Sequence, residues 1–166
     1  QKGRHMTKTL AAAALAAILG LGNMTNATAA DLGTALRESG WDRIIGTWVD
    51  PETKGTRHKV TYQWRYKDKL IEIINREAEK ETTALMGRNP KSGEVFHVAA
   101  DNEGGSSIGK WTIENGEAVL GLLFVTGTGE EGGLEIRHKL EDADTMLVTV
   151  VLPEPITFRL VRMKTK

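Results

Sequence analysis

Three histidines, His58, His97 and His138, are the side chains here best suited to proton transfer or metal ligation, because imidazole titrates near neutral pH and binds transition metals. Gathered in one place they would hold a metal ion, and singly a haem iron. Their positions argue against a shared centre. His58 begins one strand-like segment and His138 ends another, so in a barrel they fall at opposite ends, well over ~10 Å apart at ~3.3 Å per residue. The chain has no cysteine, which removes thiolate metal sites and disulfides together. The histidines are therefore read as core or rim residues satisfied by neighbouring polar groups, with no metal and no cofactor. A haem or metal held through one barrel histidine is the alternative.

Two glycine motifs resemble catalytic signatures and fail on context. Gly127-Thr128-Gly129-Glu130-Glu131-Gly132 has the spacing of a dinucleotide-binding loop. A strand pattern follows it where a helix must begin, and two glutamates stand where pyrophosphate would sit, so it reads as a hairpin loop. Gly105-Ser106-Ser107-Ile108-Gly109 has the spacing of a nucleophile elbow, but Lys110-Trp111-Thr112-Ile113 continues as strand. No other set of residues supplies a convergent acid and base, and the reading is that of a binding protein, not an enzyme.

Aromatic side chains carry the remaining chemistry. Tyr62, Trp64 and Tyr66 share one parity of one strand, and Phe96, Trp111, Phe124 and Phe158 fall on others. With His58 at the rim, these residues are expected to line an apolar cavity that offers phenol and indole hydrogen bonds to a guest. A packed core with no guest, giving a structural or protein-interaction barrel, is the alternative.

The elements that must position these residues begin after residue 29. Residues 1–5 resemble a vector remnant, Met6 a natural start, and Lys8 precedes the apolar run Leu10 to Leu21, followed by Ala27-Thr28-Ala29. That is the form of a cleavable secretory leader, and its roughly twelve apolar residues fall short of the ~20 needed to span a bilayer. Residues 30–166 then form a single domain, expected in the periplasm or secreted from a bacterium. Of the 22 basic residues, Lys2, Arg4 and Lys8 lie in the leader, leaving 19 against 22 acidic ones. A small net negative charge gives no electrostatic reason for nucleic acid or an anionic membrane as partner.

Asp31 to Gly40 reads as one short helix, with Asp31 as N-cap and Gly40 as stop. The rest reads as strand. Alternation is plainest over His58 to Tyr66 and Leu134 to Leu140, and turn signals at 51–55, 67–69, 77–81, 89–93, 101–107, 114–116, 127–133, 141–144 and 153–155 divide the chain into about ten strands. No segment is suited to a crossover helix, so the expected fold is all-β: an antiparallel up-and-down barrel preceded by one short helix, with a two-sheet sandwich as runner-up.

Gly46-Thr47-Trp48 on the first strand after a short helix, with meandering strands and a basic residue on the last, resembles the lipocalin and calycin superfamily. More narrowly, Ile45-Gly46-Thr47-Trp48, Gly93-Glu94-Val95-Phe96 and Gly109-Lys110-Trp111 resemble a family of exported bacterial lipocalin-like proteins of unknown function. The resemblance implies that Trp48 packs at the closed end of the barrel beneath a last-strand arginine. Ten alternating strands return the last one to the closed end, and the inward parity of Ile156, Phe158 and Leu160 selects Arg162 over Arg159. Gly46, Trp48 and Arg162 are thus expected to form a structural closed end.

The loops 51–55, 76–81, 101–107, 127–133 and 153–155 would rim the mouth. They contain nine acidic residues, from Glu52 to Glu154, against Lys54, Arg76 and Lys80. Such a rim disfavours anions such as fatty acids and favours a small neutral or cationic apolar molecule.

Overall fold

The computed structural model describes residues 29–164; apart from Ala29, the expected leader lies outside the described residues. Helix α1, Leu32–Ser39, forms where its capping groups are strongest. The Asp31 carboxylate accepts from Thr34 N at 2.9 Å, and Gly40 ends the helix in the left-handed region at φ 75°. A 3-10 turn at Asp42–Ile44 leads into ten strands. These are β1 Gly46–Val49, β2 His58–Tyr66, β3 Leu70–Glu77, β4 Lys80–Arg88, β5 Val95–Asp101, β6 Ser106–Glu114, β7 Glu117–Val125, β8 Glu131–Leu140, β9 Thr145–Val151 and β10 Ile156–Arg162.

Every strand pairs antiparallel with its chain neighbours, and β1 pairs with β10 to close the barrel, Trp48 opposite Arg162 and Val49 opposite Val161. Closure leaves no sheet edge and disposes of the sandwich alternative. The hairpins follow local chemistry. Asn115 and Gly116, both at positive φ, make the tight β6–β7 turn that right-twisted strands prefer.

The barrel has two unlike ends. One is sealed by α1: Leu32 and Leu36 are buried in the core, Gly33 N–H donates to Asp68 O at 3.0 Å, and the Trp41 indole donates to Gly116 O at 3.2 Å. Beneath the helix, Trp48 is 0% exposed and donates from Nε1 to Ile44 O at 2.8 Å. The Arg162 guanidinium lies over the indole, its Cζ 4.2 Å from the ring centroid. It also donates to Ile45 O at 2.8 Å, to Ala143 O at 3.1 Å and to Arg43 O. One arginine therefore ties the start of β1, the β8–β9 turn and the end of β10 together.

Gly46 is what allows this approach. Its φ is +136°, and a Cβ there would stand 2.5 Å from Arg162 Nη1. Gly46→Ala is expected to cost about 1–3 kcal/mol in thermal or denaturant melts. Gly121→Ala, where an added Cβ meets nothing within 4 Å, serves as control and is expected within about 0.5 kcal/mol of the parent. Equal effects at the two sites would show that the Arg162 contact places no demand on Gly46.

Candidate functional site

The open end leads into a cavity of about 250 Å³ in the barrel interior. Inward positions of eight strands, β2 to β8 and β10, supply most of its wall, with Val60, Ile73, Ala84, Leu122, Ile136 and Leu160 making much of it apolar. β9 adds Val148 and Val150. Core side chains converge toward the closed end, where Trp48, Ile71 and Met146 are fully buried, and the space above them remains unfilled.

His58, His97 and His138 all line this one cavity, at different depths. His58, at the mouth end of β2, stands opposite Glu77 and stacks on Phe158 with ring centroids 5.8 Å apart. His97 and His138 lie deeper and flank Trp111, at 6.1 Å and 5.0 Å between centroids. The spacing argument therefore separated His58 from His138 along the axis without showing that both belong to one lining. No group of three or more His, Asp or Glu side chains is arranged to hold a metal ion among the described residues.

Burial sets the charge state of these rings. His138 is fully buried, and desolvation brings its pKa down to about 4, against an opposing pull from the backbone carbonyls it meets. Its Nδ1 stands 3.2 Å from Ala118 O; a carbonyl only accepts, so Nδ1 carries the proton. Desolvation also lowers His97 and His58, the latter partly offset by the Glu77 and Asp50 carboxylates. Burial alone raises the pKa of the Tyr62 hydroxyl. Glu77, at the rim, is the one acidic side chain in the lining, and no lysine or arginine joins it among the described residues.

Four buried polar atoms lack a hydrogen-bond partner among the described residues: His58 Nδ1, Asn75 Oδ1, His97 Nδ1 and Trp111 Nε1. Every one belongs to a residue of this cavity wall. The expectation that the histidines are satisfied by neighbours therefore holds for Nδ1 of His138 and fails for Nδ1 of His58 and His97. Buried polar groups are rarely left unpaired, and here the orphans gather around one empty space.

No protein-family model and no curated protein matches this chain.

Of the residues expected to line the cavity, His58, Tyr62 and Trp111 do so, as does Phe158. Trp64 points inward below the cavity, half-buried against the core at the closed end, with Lys67 Nζ 5.2 Å from its ring centroid. Tyr66 is 63% exposed and faces outward, a correction with a local cause. The β2–β3 register slips between Trp64 and Tyr66, so Tyr66 comes to stand opposite Leu70, an outward position, instead of following Trp64 inward.

Phe96 is also corrected to the outer face. It pairs across from Gly87, where the missing side chain leaves room for its ring. Phe124 points inward one tier higher, covering Gly132 and lining the mouth with Lys80, Asp101 and Leu134. Asn75 and Thr82 line the cavity but escaped the sequence reading, and Glu77 and Ser107, read there only as part of the mouth loops, line it too. A signal existed for two of them: Ile71, Ile73, Asn75 and Glu77 share one parity, and the polar pair lies at the mouth end.

The rim is acidic and only partly paired. Asp50 meets Arg57 at 3.1 Å, and Lys80 bridges Asp101 and Glu103, both at 2.9 Å. Gly127 packs directly on the Glu103 carbonyl, so the β5–β6 and β7–β8 loops, neighbours on the rim, touch each other. The dinucleotide-like motif is the loop and first residues of a β-hairpin, closed by Thr126 N–H donating to Glu130 O at 2.8 Å.

Proposed function

We propose that this protein binds a small, largely apolar, neutral or cationic molecule in the barrel cavity, as a lipocalin-like carrier outside the cytoplasm. The observation that carries the proposal is the coincidence of an unfilled apolar cavity with four unpartnered polar atoms in its wall. A protein folding only for stability has reason to fill such a space, since interiors pack densely and each buried polar orphan costs roughly 1–3 kcal/mol. A guest with an apolar body and a few polar atoms removes both penalties. Glu77 at the rim and the excess of acidic side chains in the mouth loops support the preference against anions. The leader-like residues ahead of the barrel support placement outside the cytoplasm.

Trp111 forms part of the wall, so its emission should report occupancy. Octylamine and 1-octanol are expected to change tryptophan fluorescence at lower concentration than octanoate, and Trp111→Phe is expected to remove most of the change. Absence of any response, checked by calorimetry, would overturn the binding proposal. Tightest binding by octanoate would overturn its charge preference.

A further inference from the structure

The unpartnered atoms lie at two depths, and their chemistry differs between them. Near the mouth, Asn75 on β3 stands level with Val60 and Thr82, while His58 stands level with Glu77, one inward position higher. This upper tier offers an acceptor in Asn75 Oδ1, a carboxylate in Glu77 and the His58 ring. Near the closed end, Trp111 stands level with Val95 and Leu120, and His97 contacts it edge-on. This lower tier offers an indole N–H, which can only donate, and a His97 nitrogen that donates or accepts according to tautomer. Between the tiers the wall is Ile73, Ala84, Leu122, Ile136 and Val148.

From this arrangement we infer that the ligand is bipolar: a one- or two-ring apolar body with a hydroxyl or similar acceptor at its buried end and an amine at the end facing the mouth. The inference rests on the cavity being a binding site and adds the class of molecule it takes. A hydroxyl suits the lower tier because it accepts from Trp111 Nε1 while donating to His97, satisfying both orphans with one atom. An ammonium suits the upper tier because it donates to Asn75 Oδ1 and lies near the Glu77 carboxylate. Volume sets the body. A space of about 250 Å³ falls between the ~150 Å³ that holds benzene and the ~300 Å³ at which ordinary small-molecule sites begin. Water is the competing occupant, but it would satisfy the polar atoms while wetting an apolar wall.

Calorimetry of the intact barrel with four probes separates the two ends: tyramine, phenethylamine, which lacks the hydroxyl, 4-ethylphenol, which lacks the amine, and 4-hydroxyphenylpropionate, which reverses the charge. Tyramine is expected to bind tightest, by about tenfold or more over each neutral or cationic analogue, because each missing group leaves a buried partner unpaired. The propionate is expected to bind weakest. Trp111→Phe should abolish the preference for tyramine over phenethylamine. Glu77→Gln, at an exposed rim position where folding is not at stake, should reduce the preference for tyramine over 4-ethylphenol several-fold. If phenethylamine binds as tightly as tyramine, or 4-ethylphenol does, the corresponding tier reads nothing and the bipolar inference is overturned, while binding of apolar molecules stands. If none of the four binds but 1-octanol does, the inference falls and the cavity remains a binding site. If nothing binds, both fall and water is the occupant.

Discussion

Trp48→Ala is expected to remove about 3–5 kcal/mol of folding stability, the range for deleting a buried aromatic ring. The side chain is 0% exposed and sits where helix α1, strand β1 and strand β10 meet. Its loss opens a cavity under the helix, frees Ile44 O of its indole donor and takes the ring from beneath Arg162. Domain stabilities lie at about 5–15 kcal/mol, so a change of this size leaves a barrel near its unfolding threshold. Trp48→Phe keeps most of the packing and gives up the hydrogen bond, and is expected to cost about half as much or less. Urea unfolding followed by far-ultraviolet circular dichroism measures both without depending on tryptophan emission. A loss under about 1 kcal/mol for Trp48→Ala would mean that the closed end does not depend on the indole.

Acid should weaken this fold in two separate windows, the upper of them set by histidine. His138 has a pKa of about 4 in the folded barrel against 6.5 for the ordinary group, because burial disfavours the imidazolium. The unfolded chain therefore binds more protons than the folded one between these values. It follows that stability is fully present above about pH 6.5 and falls as the pH drops toward 4. The shift corresponds to about 3 kcal/mol from His138 alone, and His97 and His58, lowered for the same reason, act in the same direction.

The carboxylates act lower on the scale. Asp31, held at about 2 by the Thr34 amide and Lys69, and Asp50, Asp101 and Asp142, also held below their usual range, lose their contribution only as the pH falls below about 4. Denaturant melts from pH 7.5 to 3 are expected to show both limbs. His138→Asn, which retains a donor for Ala118 O without a titrating ring, should flatten the upper limb and leave the lower one in place. An unchanged slope between pH 6.5 and 4 in that variant would show that His138 is not the group being protonated.

Much of this architecture is legible along the chain because it depends on local chemistry. Asp31 and Gly40 mark the helix by their capping habits, and the period-two pattern with its turn residues marks strands and hairpins. Once the lipocalin resemblance implies a last-strand arginine over Trp48, parity and an even number of strands select Arg162 over Arg159, since direction alternates at every hairpin, and Arg162 is the arginine that covers the indole. An acidic rim is likewise a matter of which loops share an end.

What escaped the sequence depended on long-range relations. Tyr66 carries the parity of Tyr62 and Trp64, and only the register slip against β3 turns it outward. In Val95-Phe96-His97-Val98 three of the four residues are apolar, so alternation cannot say which face is inward. The choice is made where Gly87 on the neighbouring strand leaves room for Phe96 outside and His97 takes the interior. Likewise His58, His97 and His138 lie about forty residues apart along the chain, and only closure of β1 on β10 brings β2, β5 and β8 around one space. The strands, the helix caps and the inward parity of Arg162 can be read along the chain, because propensity and alternation act over a few residues. Tertiary structure alone decided which aromatic rings face inward and that unpaired polar atoms surround a cavity, because register and unfilled volume are properties of strands packed together.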